Sequence, residues 1–385
     1  MYSLEEIYNI LKNEKIDFVA TAISHWHAVG VDTVIYDIVK RNNGIKPNGL
    51  IFILEHEVSG FVIGEKDFVC EGFANVKFIF LSLHDRESGI YSKIGFLKIL
   101  FKKINFKNNN KRIICLISPF SPSTDLIKMV FMKDLYTTYY IKLILIDEGF
   151  GTYVPQKLFE ASLKRGSLNE TVRKVQINRV VSIIIRRSFI KLIIRNMPLE
   201  KRFIFNQEKD YEINTELINS YKKIFEFRKK NFELTHKNSV VLLTGTFSEH
   251  FQMSIQNEIE LMKSLIKILN QEGYYVLLKA HPRETIGKYD DVLKDYDVKQ
   301  LDNDFPVEDL FINIDPVYVI GFISTALINA KLFYDMDVVS VADLSLEYSD
   351  SGILKSQMDE FKKVTSSFIK FTTNMGELKQ ILKGN

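Results

Sequence analysis

Short apolar runs recur along this chain, each closed by glycine, proline or a polar cluster, and stretches with apolar residues at helical spacing separate them. Runs of about four to eight residues read as buried strands, and the spaced stretches as helices. Strands are predicted at Ile16–Ile23, Gly49–Leu54, Val76–Leu83, Arg112–Ile117 and within Lys142–Tyr153. Helices are predicted at 3–14, from about Asp32 to Arg41, at roughly 91–103, and after the capping residues Ser118–Asp125. Residues 24–30 read as a loop that holds two histidines and the only tryptophan. A second set of strands is predicted at Ser239–Leu243, Tyr274–Lys279, Tyr296–Leu301, Pro316–Ile320, Val338–Val341 and Phe368–Thr372. Ile255–Glu272 is a strong helix in this half, and a last helix, about Met375–Lys383, is placed to pack back on the first half. Strands alternating with helices predict an α/β fold with parallel sheets covered on both faces. The expected domains are 1–205 and 239–385, joined by a charged, aromatic, mostly helical connection at 206–238.

Residues 156–202 break the alternation. Between Lys164 and Arg202 stand eleven basic and two acidic residues. On a helix, Val181, Ile185, Phe189 and Leu192 share a stripe, and Arg179, Arg186, Arg187 and Lys191 fall mostly opposite. Such a basic amphipathic helix suits an anionic membrane face or a partner, and it equally suits packing on its own domain with a solvated basic face.

Composition narrows the class. The 385 residues are enough for two domains, and 46% hydrophobic with 26% charged content is globular. A net charge of +3 argues against a nucleic-acid binder. Cys70 and Cys115 lie in apolar runs far apart, as buried thiols of a reducing compartment do, and no CxxC or Cys/His cluster suggests zinc. Residues 1–15 carry charges throughout and lack an apolar core, so no signal peptide is expected. No run approaches the ~20 apolar residues of a membrane span. The expected location is cytoplasmic, with a peripheral contact on the inner membrane face through residues 164–202. Nothing in the pattern specifies an oligomeric state.

Candidate chemistry gathers at the carboxyl ends of predicted strands, where open α/β sheets place ligands. Lys142–Tyr153 ends in Asp147-Glu148-Gly149, with Gly149 and Gly151 allowing close approach of a substrate; an ordinary turn with solvated acids has the same look. Lys279-Ala-His-Pro-Arg-Glu284 holds His281 in a turn set by Pro282, with Lys279 and Arg283 adding positive potential. Ser324 and Thr325 follow Gly321 at a helix start, which makes an anion site or a plain cap. Gly245, Thr246, Glu249 and His250 occupy another exit loop. Glu308 can accept from ribose hydroxyls or sit on a surface helix. His25, Trp26 and His27 can bind an acceptor sugar by stacking and hydrogen bonding, or pack between domains. Asp302-Asn-Asp304 lacks a third ligand and reads as a turn, so no metal or other cofactor is expected.

The triple Asp147-Glu148-Gly149, His281-Pro282 and Ser324-Thr325, in this order, resembles the bacterial sialyltransferases, namely the lipooligosaccharide sialyltransferase family and the bacterial polysialyltransferases. The resemblance covers most of the chain in motif order. It implies a GT-B fold, two Rossmann-like domains facing a central cleft, with the acceptor side in the first and the donor side in the second. It also implies a CMP-activated sialic or related nonulosonic acid as donor, and a glycan of a surface polysaccharide, capsule or lipooligosaccharide as acceptor. Transfer would invert the anomeric carbon without a metal. Carried over, Asp147 and Glu148 supply the general base, Glu148 foremost. His281, Ser324 and Thr325 hold the donor phosphate. Thr325 stands where serine is frequent. The lipooligosaccharide branch places its base in the loop matching Thr244–His250, which would point to Glu249. Alternatives are a GT-B transferase using a Kdo or UDP-sugar donor, and a non-catalytic sugar-nucleotide-binding assembly protein.

Overall fold

The computed structural model describes residues 13–54, 63–81, 114–119, 141–155, 198–229 and 238–384, except 251, 303, 304 and 350, with a few isolated positions before residue 13. The predicted helices at 3–14, at 91–103 and after Ser118, and the basic stretch up to residue 197, lie essentially outside this description.

Contacts divide the chain into two units, Met1–Thr152 with Asn178–Phe227, and Tyr153–Ile177 with Arg228–Asn385. In the first, β1 (Phe18–Ala22), β2 (Asn48–Leu54), β3 (Asn75–Leu81), β4 (Ile114–Pro119), β5 (Ile141–Ile146) and β6 (Leu199–Arg202) form one sheet in the order β3-β2-β1-β4-β5-β6. Every pairing in it is parallel, and a separate antiparallel pair, β7 (Phe205–Asn206) and β8 (Glu212–Ile213), follows it. Phe18, Ala20, Ile51, Ile117, Ile144 and Ile146 belong to its core. In the second, β9 (Ser239–Leu243), β10 (Tyr275–Lys279), β11 (Val298–Leu301), β12 (Tyr318–Gly321), β13 (Val338–Ser340) and β14 (Lys370–Phe371) repeat that order, β11-β10-β9-β12-β13-β14, again all parallel. The central strands read as near-continuous apolar runs because both faces are covered. Both orders are the Rossmann 3-2-1-4-5-6 arrangement, and two such units in one chain give the GT-B class.

One expectation changes, and two further helices find their packing. The last four residues of the stretch read as basic helix, Leu199–Arg202, are strand β6, paired with Leu143–Ile146. Pro198 cannot sit inside a helix and its carbonyl accepts from Leu143 N at 3.0 Å. Within the predicted 206–238 connection, the helix Thr215–Arg228 buries Leu217, Tyr221, Ile224 and Phe225. In the first unit it packs on the helix His25–Arg41, where Tyr221 stacks on Trp26 and Ser220 Oγ donates to Asp37 at 3.1 Å. The last helix, Met375–Lys383, packs in the second unit. Leu378 and Leu382 join the second core, and Tyr274 and Tyr318 donate to the end-of-helix carbonyls of Leu382 and Ile381, each at 2.9 Å. Carbonyls in a last helical turn need such outside donors, and Ile381 O also accepts from the C-cap Gly384 N at 3.2 Å.

No helix among the described residues is long and apolar enough to cross a membrane.

Candidate functional site

In the first unit β5 delivers Asp147 and Glu148 with different surroundings. Asp147 is fully buried. Its carboxylate accepts from Gly149 N at 2.5 Å, Ile204 N at 3.1 Å and the Thr152 hydroxyl at 3.4 Å. Gly149 has φ +88°, a conformation that glycine adopts without strain and that turns its N–H back onto Asp147. Gly151 has no such requirement. Glu148 donates its backbone N–H to Thr152 Oγ1 at 2.7 Å, and the residue is half-buried. The acidic pair therefore divides into an inward brace and a neighbour nearer the surface.

The predicted loop over 24–30 is instead the opening of the helix His25–Arg41. Ser24 caps it, its hydroxyl accepting from His27 N at 3.3 Å. His25 and His27 are buried. His25 Nδ1 lies 3.0 Å from Asp67, and His27 Nδ1 accepts from Ile23 N at 3.3 Å. The Trp26 and Tyr221 rings are parallel, with centroids 5.1 Å apart.

In the second unit β10, β9 and β12 are neighbours, and all three end in candidate loops. The strand order reverses between β9 and β12, which is where a Rossmann sheet opens a ligand crevice. After β12, Ser324 is the N-cap of the helix Thr325–Tyr334 and accepts from Ala326 N at 3.1 Å. A capping hydroxyl still has its own hydrogen to donate. The dipole of that helix favours an anion at its N-terminus. After β10, His281 Nδ1 accepts from Arg283 N at 3.1 Å, so the proton of the neutral ring is on Nε2. The residue has an exposed edge, while its other side is crowded by protein. That crowding first, then Arg283 and His250, bring its pKa down to about 4. The ring is a neutral donor at pH 7. A bound phosphate would raise that pKa again. Lys279 is buried, and its ammonium donates to the Asp302 carbonyl and lies 4.5 Å from the centre of the Phe305 ring. Arg283 is exposed and Pro282 half-buried.

After β9, a Cβ on Gly245 would come within 2.8 Å of the Phe247 ring, so glycine lets this loop fold tightly beside Thr246. Glu249 is heavily engaged. It accepts from Thr285 N at 3.0 Å, Thr285 Oγ1 at 3.3 Å, Ser248 Oγ at 3.2 Å and Lys288 Nζ at 3.0 Å. Burial alone would raise its pKa, but the Thr285 N–H and Lys288 prevail and hold it below the usual carboxylate range. Glu308 opens the short helix Val307–Phe311 and accepts from Asn329 Nδ2 at 2.7 Å. Asn329 lies on the helix that Ser324 caps, so one helix links Ser324 to Glu308.

Four residues that no motif singled out complete this end of the sheet: Thr244, Glu258, Glu284 and Lys288. Lys288 Nζ is 2.8 Å from Glu258, 3.0 Å from Glu249 and 3.4 Å from Glu284. The three carboxylates converge within 4.8 Å, a grouping able to hold a cation, and the Lys288 ammonium lies against all of them. Glu284 lay inside the segment read around His281, but only the fold brings 249, 258 and 288 to it.

Residues 19–343 match the family model described as Alpha-2,8-polysialyltransferase (POLYST). No curated protein sequence matches the chain. Among solved structures, the α/β-galactoside α-2,3-sialyltransferase of Photobacterium phosphoreum aligns with 14% identity and a TM-score of 0.48, covering 94% of this chain and 99% of its own. The UDP-GlcNAc 2-epimerase of Neisseria meningitidis aligns with 11% identity and a TM-score of 0.44, over 95% of this chain and 98% of its own. Acinetobacter baumannii MurG gives 8% and 0.44, over 96% and 90%.

Proposed function

Because the chain belongs to the alpha-2,8-polysialyltransferase family, and so is a glycosyltransferase that moves sialic acid, we propose that its donor is CMP-activated and that it extends an α-2,8-linked chain with inversion. The observation that carries the donor assignment is the meeting of three strand-end loops at the switch point of the second unit. They supply the His281 Nε2–H, the Ser324 hydroxyl and a helix N-terminus, all of which suit a phosphate. Thr325 adds a second hydroxyl, Arg283 positive potential, and Glu308 an acceptor for the ribose.

In this reading the first unit is the acceptor side and the second the donor side. An acceptor hydroxyl attacks the anomeric carbon from the face opposite CMP. The bond from that carbon to the phosphate oxygen breaks, and CMP leaves with its charge held by His281, Ser324 and Thr325. Glu148 takes the proton of the attacking hydroxyl. Asp147 braces the loop, as its three donors suggest. Glu249 is the weaker candidate base. Its oxygens are engaged by Thr285, Ser248 and Lys288, and its lowered pKa makes it a poor proton acceptor. The acceptor belongs to a surface glycan. Residues 164–202, with their excess of basic side chains, bring the enzyme to the anionic membrane face where such a glycan is assembled.

Transfer from CMP-N-acetylneuraminate to an α-2,8-linked oligosialic acceptor tests the reading. Glu148→Gln is expected to lose about 10²–10⁴-fold in turnover with CMP affinity unchanged. Glu249→Gln is expected to keep far more activity. A dead Glu249→Gln beside an active Glu148→Gln would move the base to the second unit. Activity with UDP- or Kdo-donors and none with the CMP-sugar would overturn the donor assignment.

A further inference from the structure

The His281 turn is held from beneath by side chains that touch no proposed substrate. His281 N donates to Thr244 Oγ1 at 2.9 Å and to Glu284 at 3.0 Å. The Thr244 hydroxyl donates to the same Glu284 oxygen, Oε2. Glu284 N in turn donates to the His281 carbonyl at 2.9 Å, closing the turn on itself. The other Glu284 oxygen accepts from Tyr289 OH at 3.0 Å and faces Lys288 Nζ at 3.4 Å. Lys288 is anchored further by Glu258, which lies on the 17-residue helix Ile255–Gln271 and accepts from Ser248 N at 2.9 Å. The side chains of Lys288, Glu258 and Glu284 are 1%, 1% and 2% exposed. Three charged groups so deeply buried are costly unless each is paired, and removing one partner leaves the rest uncompensated. Their arrangement runs in one line: a long helix fixes Lys288, Lys288 fixes Glu284, and Glu284 with Thr244 fixes the backbone of His281. It also joins the loop after β9 to the loop after β10.

We propose that Thr244 and Glu284, anchored by Lys288, are positioning residues for His281, setting where its imidazole meets the donor phosphate. The proposal rests on His281 contacting that phosphate, as argued above. A displaced imidazole loses its hydrogen bond even with every other donor-site group in place, because such bonds weaken steeply with misalignment.

The test is calorimetric titration of the full chain with CMP, in a double-mutant cycle. Thr244→Val removes the linking hydroxyl with little change of shape, and His281→Ala removes the imidazole. Each single change is expected to weaken CMP on the order of ten-fold. Thr244→Val in the His281→Ala background is expected to cost almost nothing more, since Thr244 acts through the ring. Thr244→Ser should restore most of the affinity. Glu284→Gln, which keeps an acceptor, should bind better than Glu284→Ala. The histidine ¹⁵N spectrum should show the His281 tautomer shifted in Thr244→Val, which a general loss of stability would not do. If His281→Ala weakens CMP while Thr244→Val and Glu284→Ala bind like the wild type, the positioning role is wrong and the donor-site reading stands. If the effects of Thr244→Val and His281→Ala simply add, Thr244 acts elsewhere and the proposal fails. If His281→Ala binds CMP normally, the phosphate contact and the positioning role fall together.

Discussion

Glu284 carries donors on both oxygens and still holds its proton unusually well. Burial pushes its pKa up to about 7; Lys288 and the Thr244 hydroxyl pull the other way, and Glu258 adds to the rise. A carboxyl whose folded pKa is raised contributes stability that is fully present below its unfolded pKa, about 4.3. That contribution is lost as pH rises through about 7. The wild type should therefore lose on the order of 3 kcal/mol from this group between pH 4.5 and 8. Glu284→Gln should lack that component. Denaturant unfolding at several pH values would measure it, and parallel pH profiles for the two proteins would count against it. Asp147 is a second buried carboxylate, held by hydrogen-bond donors. Three donors surround it and its neighbour Glu148 is half-buried, so two adjacent acids have different surroundings. Adjacency in sequence marked the pair, and the direction of each side chain was set by the turn at Gly149.

At the scale of elements, helix starts carry much of the site. Ser324 and Ser24 are both N-caps, and each follows a strand beside the reversal of its sheet's order, but the helix that Ser24 caps opens with the buried His25 and His27. The sequence around Ser324 suits both a cap and a phosphate ligand, and one hydroxyl can serve as both. Ser324→Ala should lose about 1 kcal/mol of stability as well as CMP affinity. Ser324→Asp keeps a cap acceptor but sets a negative charge against the phosphate. It should hold the wild-type Tm and lose CMP binding more severely. Thermal melts paired with CMP titrations separate the roles, and CMP affinity untouched in both variants would leave Ser324 a cap alone. The helix His25–Arg41 begins well before Asp32, the start that its sequence pattern predicts because two histidines and a tryptophan look like a binding loop. The Ser24 cap, the Trp26–Tyr221 stack and the burial of His25 and His27 come from packing with segments far along the chain.

At the scale of the molecule, the charge is uneven although the net is only +3. The excess lies between 164 and 202. Its last members are already committed: Arg202 pairs with Asp37 at 2.7 Å, and Lys201 with Glu208 at 2.9 Å. The proposed membrane contact therefore rests on the basic residues before 198. Sedimentation with anionic vesicles should exceed that with neutral ones and fall steeply with salt, since screening acts over ~10 Å at 0.1 M. Equal sedimentation with both vesicle types would remove the membrane role, and retention on heparin alone would favour an acidic glycan.

The alternation of apolar strands and amphipathic helices determined two α/β units, because a buried parallel strand and a helix stripe are local patterns. The motif triple pointed to the family for a similar reason: an acid pair before glycine, a His-Pro turn and a Ser-Thr helix start are each a few adjacent residues. What adjacency could not encode was decided by the fold. The β11-β10-β9-β12 order brings Thr244, His281 and Ser324 onto neighbouring strand ends. Tertiary packing gathers Glu249, Glu258 and Glu284 around Lys288. It also buries His25 and His27, and assigns the last helix to the second core. These outcomes depend on strand order and on charges that meet only when desolvated together, and neither leaves a periodicity in the sequence.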